Sequence, residues 1–321
     1  MCRQFFLCEF LGKGGFARVY KTRCTDANGN INLRTPPLAT KVVEKSTLVK
    51  THQKEKMALE IEIHKSLSHE NICQFYLHFV DEKRIYVVLE LCECFSLMEL
   101  QKRRTLVSQP ELRYFMKQIF CALAYLHNIQ IIHRDLKLSN ILLSKSMKCK
   151  LGDFGLATRV SSNNENKRTT LCGTPNYIAP EVLNKVGHGK PADVWSSGCI
   201  MYALLIGKPP FETENLKSTY DKIKHNSYIM PTHVKNTTAG IIIKEMLRSK
   251  QSTRPTISKL LIHPFITQGF CPVSLPDSAM TTTPAFNEAQ SSIYIIDDAN
   301  TDNPDKVSYK LGSGCCGWTE C

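Results

Sequence analysis

Residues His133-Arg134-Asp135-Leu136-Lys137-Leu138-Ser139-Asn140, followed by Asp153-Phe154-Gly155, constrain this chain more than any other stretch. The apolar pair Ile131-Ile132 leads into a short polar loop carrying a carboxylate, an ammonium and an amide. A second carboxylate, Asp153, stands eighteen residues beyond Asp135 and before a glycine. Asp135, Asn140 and Asp153 supply oxygen ligands and acceptors that suit magnesium, which prefers hard donors and a few carboxylates plus phosphate. Lys137, two residues past Asp135, is placed to neutralise a moving anionic group. The set suits phosphoryl transfer, which asks a protein mainly for positioning and charge neutralisation.

A chain of 321 residues with 42% hydrophobic composition can build one large domain or two smaller ones around a core. No apolar stretch approaches the ~20 residues that span a bilayer, and Glu9 interrupts the apolar start before it could act as a signal peptide. The expectation is a location inside the cell. The fourteen cysteines are scattered, and Cys73, Cys121 and Cys199 stand in apolar runs, which reads as buried thiols rather than a disulfide framework. The net charge of +12 is uneven: beyond Pro276 seven acidic residues face only Lys306 and Lys310. A basic body favours anionic partners such as nucleotides, acidic peptides or nucleic acid, and charge alone does not choose among them.

Residues 6–22 alternate apolar and polar about Gly12-Lys13-Gly14-Gly15, which predicts two strands joined by a glycine turn. Such a turn can close backbone N–H groups over phosphates, although tight turns need glycine for conformational reasons alone. A dinucleotide-binding motif would continue into a helix, whereas Ala17 to Thr22 reads as a strand. After a polar insert, Leu38 to Val43 predicts a third strand bearing Lys41. A lysine there could hold the α- and β-phosphates if an acid restrains it. Glu60 is favoured over Glu62 for that role, on a helix expected from Gln53 to Leu67 with Met57, Ile61, His64 and Leu67 as its apolar stripe.

Ile72 to Phe79 and Arg84 to Leu91 predict two further strands. Glu90-Leu91-Cys92 then forms a connector able to offer backbone groups to an adenine ring, with Leu89 limiting the pocket's depth. Pro110 to Asn128 reads as a long amphipathic helix, and two short strands, Ile141–Leu143 and Cys149–Gly152, precede Asp153. Lys167, Arg168, Thr169 and Thr170 place hydroxyls among cations. A phosphate added there could be clamped by Arg134. Helices are expected at Pro191–Ile206, Ile241–Leu247 and Ile257–Leu261, with a buried Glu181–Arg254 pair. No internal repeat is present. From Asp277 the composition turns to Thr, Ser, Asn and Asp and reads as a disordered tail. Its terminal cysteines have neither a second ligand pair at zinc spacing nor the position a prenylation signal needs.

Glycine loop, strand lysine, helix glutamate, His-Arg-Asp loop with Asn140, Asp-Phe-Gly and Ala179-Pro180-Glu181 occur in the order of the eukaryotic protein kinases, which this chain resembles over roughly residues 5 to 270. Lys137 and Thr174 resemble the serine/threonine class. The runs Phe10 to Ala17, Leu89-Glu90-Leu91-Cys92, Leu171 to Glu181, Gly198 to Tyr202 and Gly207 to Thr213 resemble a polo-like kinase.

The resemblance implies an α+β bilobal fold over residues 5–267. The small lobe, about 5–91, would be a five-stranded antiparallel sheet plus one helix, the large lobe, about 92–267, mainly helical, and residues 277–321 an acidic, disordered tail. It implies ATP and magnesium as cofactors. Asp135 would orient or deprotonate the substrate hydroxyl, Lys137 would stabilise the moving phosphoryl, and Lys41 with Glu60 would anchor phosphate beneath Gly12, Gly14 and Gly15. Asn140 and Asp153 would bind metal. Glu90 and Cys92 would hydrogen-bond adenine through their backbone, behind Leu89, between Leu11, Val19 and Ala39 above and Leu142 below. Thr170 would be the activating phosphosite, and His64, Phe75, His133 and Phe154 a stacked spine.

Val19 and Leu142 depart from the cysteine and phenylalanine of the best-known polo-like kinases, so the adenine pocket reads as generic. Polo-like kinases also carry C-terminal polo-box domains, and residues 277–321 lack β-rich periodicity. The implied partners are protein substrates with acidic residues near the phosphosite and an upstream activating kinase, without nucleic acid or membrane. The implied location is cytoplasm or nucleus, with centrosome or spindle by resemblance. A pseudokinase scaffold is the main alternative, opposed by the filled catalytic positions. A basic nucleic-acid module would want aromatic residues interleaved with basic ones, and none are.

Overall fold

In the computed structural model the described residues are 4–15, 17–26, 30–160 and 173–286. The alternating start of the chain folds as β1 (Phe5–Gly14) and β2 (Ala17–Cys24), paired antiparallel with Gly14 opposite Ala17. Gly15 turns the hairpin at φ +52°, a left-handed conformation that side chains with a Cβ disfavour. After β3 (Leu38–Glu44) come α1 (Thr51–Lys65), β4 (Phe75–Val80) and β5 (Arg84–Glu90). The strands form one antiparallel sheet in the order β1-β2-β3-β5-β4. Ala17, Val43, Leu48, Met57, Phe75 and Val87 make its core, with Ile61 packed partly against it; α1 buries Met57 and His64 as its spacing predicts, and also Ile63, which the predicted stripe leaves out.

Several element ends differ by one to three residues from the sequence reading, and two of the starts have a clear physical cause. Helix α1 starts at Thr51 rather than Gln53, because the Gln53 side chain turns back to accept from Lys50 N at 2.9 Å and satisfies a donor of the first turn. The fourth strand starts at Phe75 rather than Ile72. Residues 72 and 73 pair instead with the large lobe, through an Ile72–Leu151 bridge and a Cys73 N–H to Leu151 carbonyl bond of 2.9 Å.

The large lobe opens with α2 (Leu97–Arg104), which buries Leu97 and Leu100 among charged residues. In α3 (Gln109–Asn128), Ser108 N donates to the Glu111 carboxylate at 2.9 Å, and Leu112, Phe115, Ile119, Leu123 and Leu126 are buried as the stripe predicts. Strands β6 (Ile131–Ile132), β7 (Ile141–Leu143), β8 (Cys149–Leu151) and β9 (Thr158–Arg159) pair as β6 with β9 and β7 with β8. The helices α4 (Pro180–Leu183), α5 (Lys190–Ile206), α6 (Leu216–Lys224), α7 (Thr232–Lys235), α8 (Thr238–Met246), α9 (Ile257–Leu261) and α10 (Pro264–Thr267) complete the lobe. From Ala192 to Leu204, α5 is buried, and Gly198 admits the end of α8 closely: a Cβ there would stand 3.0 Å from Met246 Cβ and 2.9 Å from Cδ2 of Leu247, which caps the helix.

The expected start of a disordered tail at residue 277 is corrected by the fold. Asp277–Met280 forms a short 3-10 turn against α2, with Ala279 and Met280 buried. Arg104 donates to the Ala279 carbonyl at 2.7 Å and to Thr283 Oγ1 at 2.9 Å. Apolar residues in a polar stretch thus find a groove, and a guanidinium finds acceptors. Residues 287–321, with the terminal cysteines, lie outside the described residues. Cys73 and Cys199 are buried free thiols, while Cys121 is only half-buried. Among the described residues no helix is long and apolar enough to cross a membrane.

Candidate active site

Three side chains hold Asp135 in the loop between β6 and β7, two from the loop itself and one, Thr174, from far along the chain. Thr174 Oγ1 donates to its Oδ1 at 2.9 Å, and Lys137 Nζ lies 2.6 Å from Oδ2. Asn140 Nδ2 donates to the Asp135 carbonyl at 2.9 Å and to Oδ2 at 3.3 Å. Lys137 also donates to Thr174 Oγ1 at 2.9 Å, closing a triangle about the carboxylate. The loop is anchored from below by Asp193 on α5. Its carboxylate accepts from His133 N at 3.0 Å, Arg134 N at 2.9 Å and His127 Nε2 at 2.9 Å. Burial opposes ionisation of Asp193, yet His127, His133 and the Arg134 N–H hold its pKa below the ordinary carboxylate value. Arg134 and Asp153 both adopt positive φ, +67° and +60°, strain that only a surrounding network of this kind sustains.

On β3, Lys41 reaches across to α1, with Nζ 2.5 Å from Glu60 Oε1 and 3.9 Å from Asp153 Oδ1. Burial disfavours the ammonium, but Glu60 and Asp153 outweigh it and raise its pKa above the ordinary lysine value. Asp153 is recessed in the cleft with half of its side chain open. Burial works against its carboxylate as well, and Lys41 followed by His133 holds it ionised below the usual range. Glu62, the competing acid, instead lies 3.9 Å from Arg159. A Cβ added at Gly12 or Gly14 would meet nothing within 4 Å, so the hairpin stands clear of the protein beneath it, as a phosphate-covering loop must. Gly155 by contrast is tight, since a Cβ there would come within 3.2 Å of Glu60 Oε2.

The residues read as an adenine site share one region of the fold. Val19 pairs with Lys41 across β2 and β3, and Ala39 pairs with Leu89 across β3 and β5. Leu142 on β7 lies on the large-lobe side, bridged to Ser96. Leu11 is 44% exposed on β1, and Leu89 and Cys92 are half-buried. The Glu90 side chain faces Lys150 rather than the ligand position, with Oε1 2.8 Å from Lys150 Nζ. Asn140 and Asp153 fit a magnesium ion by the chemistry of their donors. The amide nitrogen of Asn140 is engaged by Asp135, which leaves its oxygen for a metal, and Asp153 presents an open, ionised carboxylate.

Four rings form a chain of edge-on and tilted contacts between the lobes, rather than the stacked spine expected. His64 contacts Phe75 at 5.5 Å and Phe154 at 4.7 Å between centroids, and Phe154 contacts His133 at 5.2 Å. His64 Nε2 donates to the Cys73 carbonyl at 2.7 Å. Burial pushes its pKa down to about 4, so the folded state keeps it neutral. The unfolded chain therefore binds more protons between pH 4 and pH 6.5, and stability must fall as the pH drops through that window. His64 alone should cost about 2 kcal/mol between pH 7 and pH 5. Thermal unfolding across that range should show a flatter profile for His64→Leu than for the wild type. Equal slopes would remove His64 as the source.

Thr170, with Lys167 and Arg168, lies outside the described residues. Two contributors were underread in the sequence. Thr174 served only as a class marker, although it bonds both Asp135 and Lys137. Asp193 is a lone acid in the apolar run 191–206, and a buried carboxylate needs several donors.

The protein kinase domain family model matches residues 5–266. The chain is 50% identical over 291 residues to the serine/threonine-protein kinase PLK1 of Xenopus laevis, covering 91% of this chain and 47% of that protein. It is 48% identical over 277 residues to the serine/threonine-protein kinase polo of Drosophila melanogaster, covering 86% and 46%. It is 46% identical over 280 residues to the serine/threonine-protein kinase plk-2 of Caenorhabditis elegans, covering 87% and 43%. The chain thus spans just under half the length of these relatives.

Proposed function

The chain belongs to the protein kinase domain family, with polo-like kinases among its relatives, and we propose that it transfers the γ-phosphate of ATP to serine and threonine hydroxyls of protein substrates. The observation that carries this reading is the triangle of Asp135, Lys137 and Thr174, which holds a carboxylate and an ammonium within 2.6 Å of one another at the cleft. A substrate hydroxyl entering there donates its hydrogen bond to Asp135 and meets the phosphoryl group beside Lys137.

Lys41, restrained by Glu60, binds the α- and β-phosphates, and the backbone N–H groups about Gly12, Gly14 and Gly15 cover them. The backbone of Glu90 and Cys92 holds adenine, with Leu89 behind it and Leu11, Val19, Ala39 and Leu142 on its faces. Asn140 and Asp153 would hold magnesium, which supplies neutralisation of the phosphate charge when bound. Thr170 is the proposed phosphosite, its phosphate reaching Arg134. Acidic residues near the target hydroxyl suit the basic body, and an upstream kinase would charge Thr170. By likeness to the relatives, the setting is cell-cycle control inside the cell.

Radiolabel transfer from ATP to casein tests the reading. Wild type should label casein, and Lys41→Met should transfer about a hundredfold less, the loss expected when one electrostatic contact to the reacting phosphates is removed. A wild type no better than a reaction without protein would sink the enzyme reading. Normal turnover in Lys41→Met would remove Lys41 as the anchor.

A further inference from the structure

Residues 71–74 lie between β8 and the connector that follows β5, and backbone bonds tie them to both. Leu151 N donates to the Asn71 carbonyl at 2.8 Å, Cys73 N to the Leu151 carbonyl at 2.9 Å, and Glu90 N to the Gln74 carbonyl at 2.9 Å. The Glu90 carboxylate closes the ring. Its Oε2 accepts from Gln74 N at 3.1 Å, while its Oε1 meets Lys150 Nζ at 2.8 Å. Lys150 stands on β8, three residues before Asp153. The two side chains are 15% and 21% exposed, so water screens this pair less than a surface ion pair. Cys73 Sγ stands 3.5 Å from the Glu90 carbonyl, within the same cluster.

We propose that Lys150 is a positioning residue for nucleotide: through Glu90 it clamps the Glu90–Cys92 connector to β8, fixing the adenine-holding backbone relative to Asp153. The inference rests on the proposed function, because it concerns the nucleotide of that same site. Without the ammonium, Glu90 keeps a largely buried carboxylate on one backbone donor, a costly arrangement that it relieves by turning to water. Gln74 N then loses its acceptor and the connector loosens. The loss falls on binding rather than on the chemical step, since Asp135 and Lys137 are held by Thr174 and Asn140, outside the ring.

The test compares wild type, Lys150→Met and Lys150→Arg as full chains. Affinity for ADP carrying a fluorescent N-methylanthraniloyl group should weaken about fivefold in Lys150→Met, as for the loss of one partly buried charge-assisted bond. KM for ATP should rise equally, with kcat at saturating ATP changed by less than about twofold. Lys150→Arg should restore both. Hydrogen exchange at residues 89–92, measured without nucleotide, should quicken in Lys150→Met. A lowered melting temperature with unchanged ADP affinity and unchanged exchange would reduce Lys150 to a structural role and overturn the clamp. A wild type that binds ADP yet labels no casein would sink the functional reading alone, because ADP affinity and exchange still read the clamp.

Discussion

Asp135→Asn should lower phosphoryl transfer to a peptide about a thousandfold, the middle of the range for loss of a positioned proton acceptor, while leaving ADP affinity and the melting temperature close to wild type. The substitution keeps size and changes only one oxygen to an NH2 donor. The remaining oxygen can face Lys137, which only donates, and the new NH2 can donate to Thr174, whose hydroxyl also accepts. The triangle survives, but no second oxygen is left to take the substrate's proton. Single-turnover transfer measured beside ADP titration separates the two effects. Transfer within tenfold of wild type would place the acceptor elsewhere.

Arg254→Met should remove about 3–5 kcal/mol of stability, the cost of stranding one member of a buried ion pair. Arg254 reaches Glu181 through two bonds of 2.7 and 2.8 Å, and both side chains are nearly without exposure. It also donates to the carbonyls of Arg248, Pro191 and Ser249, and stands 4.9 Å from the Trp195 ring centre. Methionine fills the volume and removes every donor, which leaves the Glu181 carboxylate buried and uncompensated. Adding Glu181→Leu removes that charge, so the double variant should be more stable than Arg254→Met alone. Urea unfolding of the single and double variants checks this. A loss under about 1 kcal/mol for Arg254→Met would show the pair to be solvated in solution.

The parts of the fold that were legible in the sequence depend on local pattern. The stripes of α1 and α3, the glycine turn at Gly15 and the order of short polar motifs repeat at the spacing of a helix, hairpin or loop, and their burial followed. What escaped depends on partners far along the chain. Residues 72–74 look like strand by composition, yet their backbone groups serve β8 and the connector. Asp277 to Thr283 looks unstructured, yet Arg104, more than 170 positions earlier, supplies its donors. Neither spacing nor charge carries such information.

By itself the sequence determined the chemistry available: one carboxylate beside one lysine and one amide, a second carboxylate before a glycine, and a strand lysine with two rival acids. Only the tertiary structure decided between Glu60 and Glu62, because the choice turns on how α1 docks against β3, which places Glu60 2.5 Å from Lys41 and sends Glu62 toward Arg159. It alone brought Asp193 beneath the His133–Asn140 loop, Thr174 against Asp135, and Lys150 onto Glu90. The physical reason is common to all four. A side chain's type fixes which bonds it can make, while the packing of distant elements fixes which partner stands within reach.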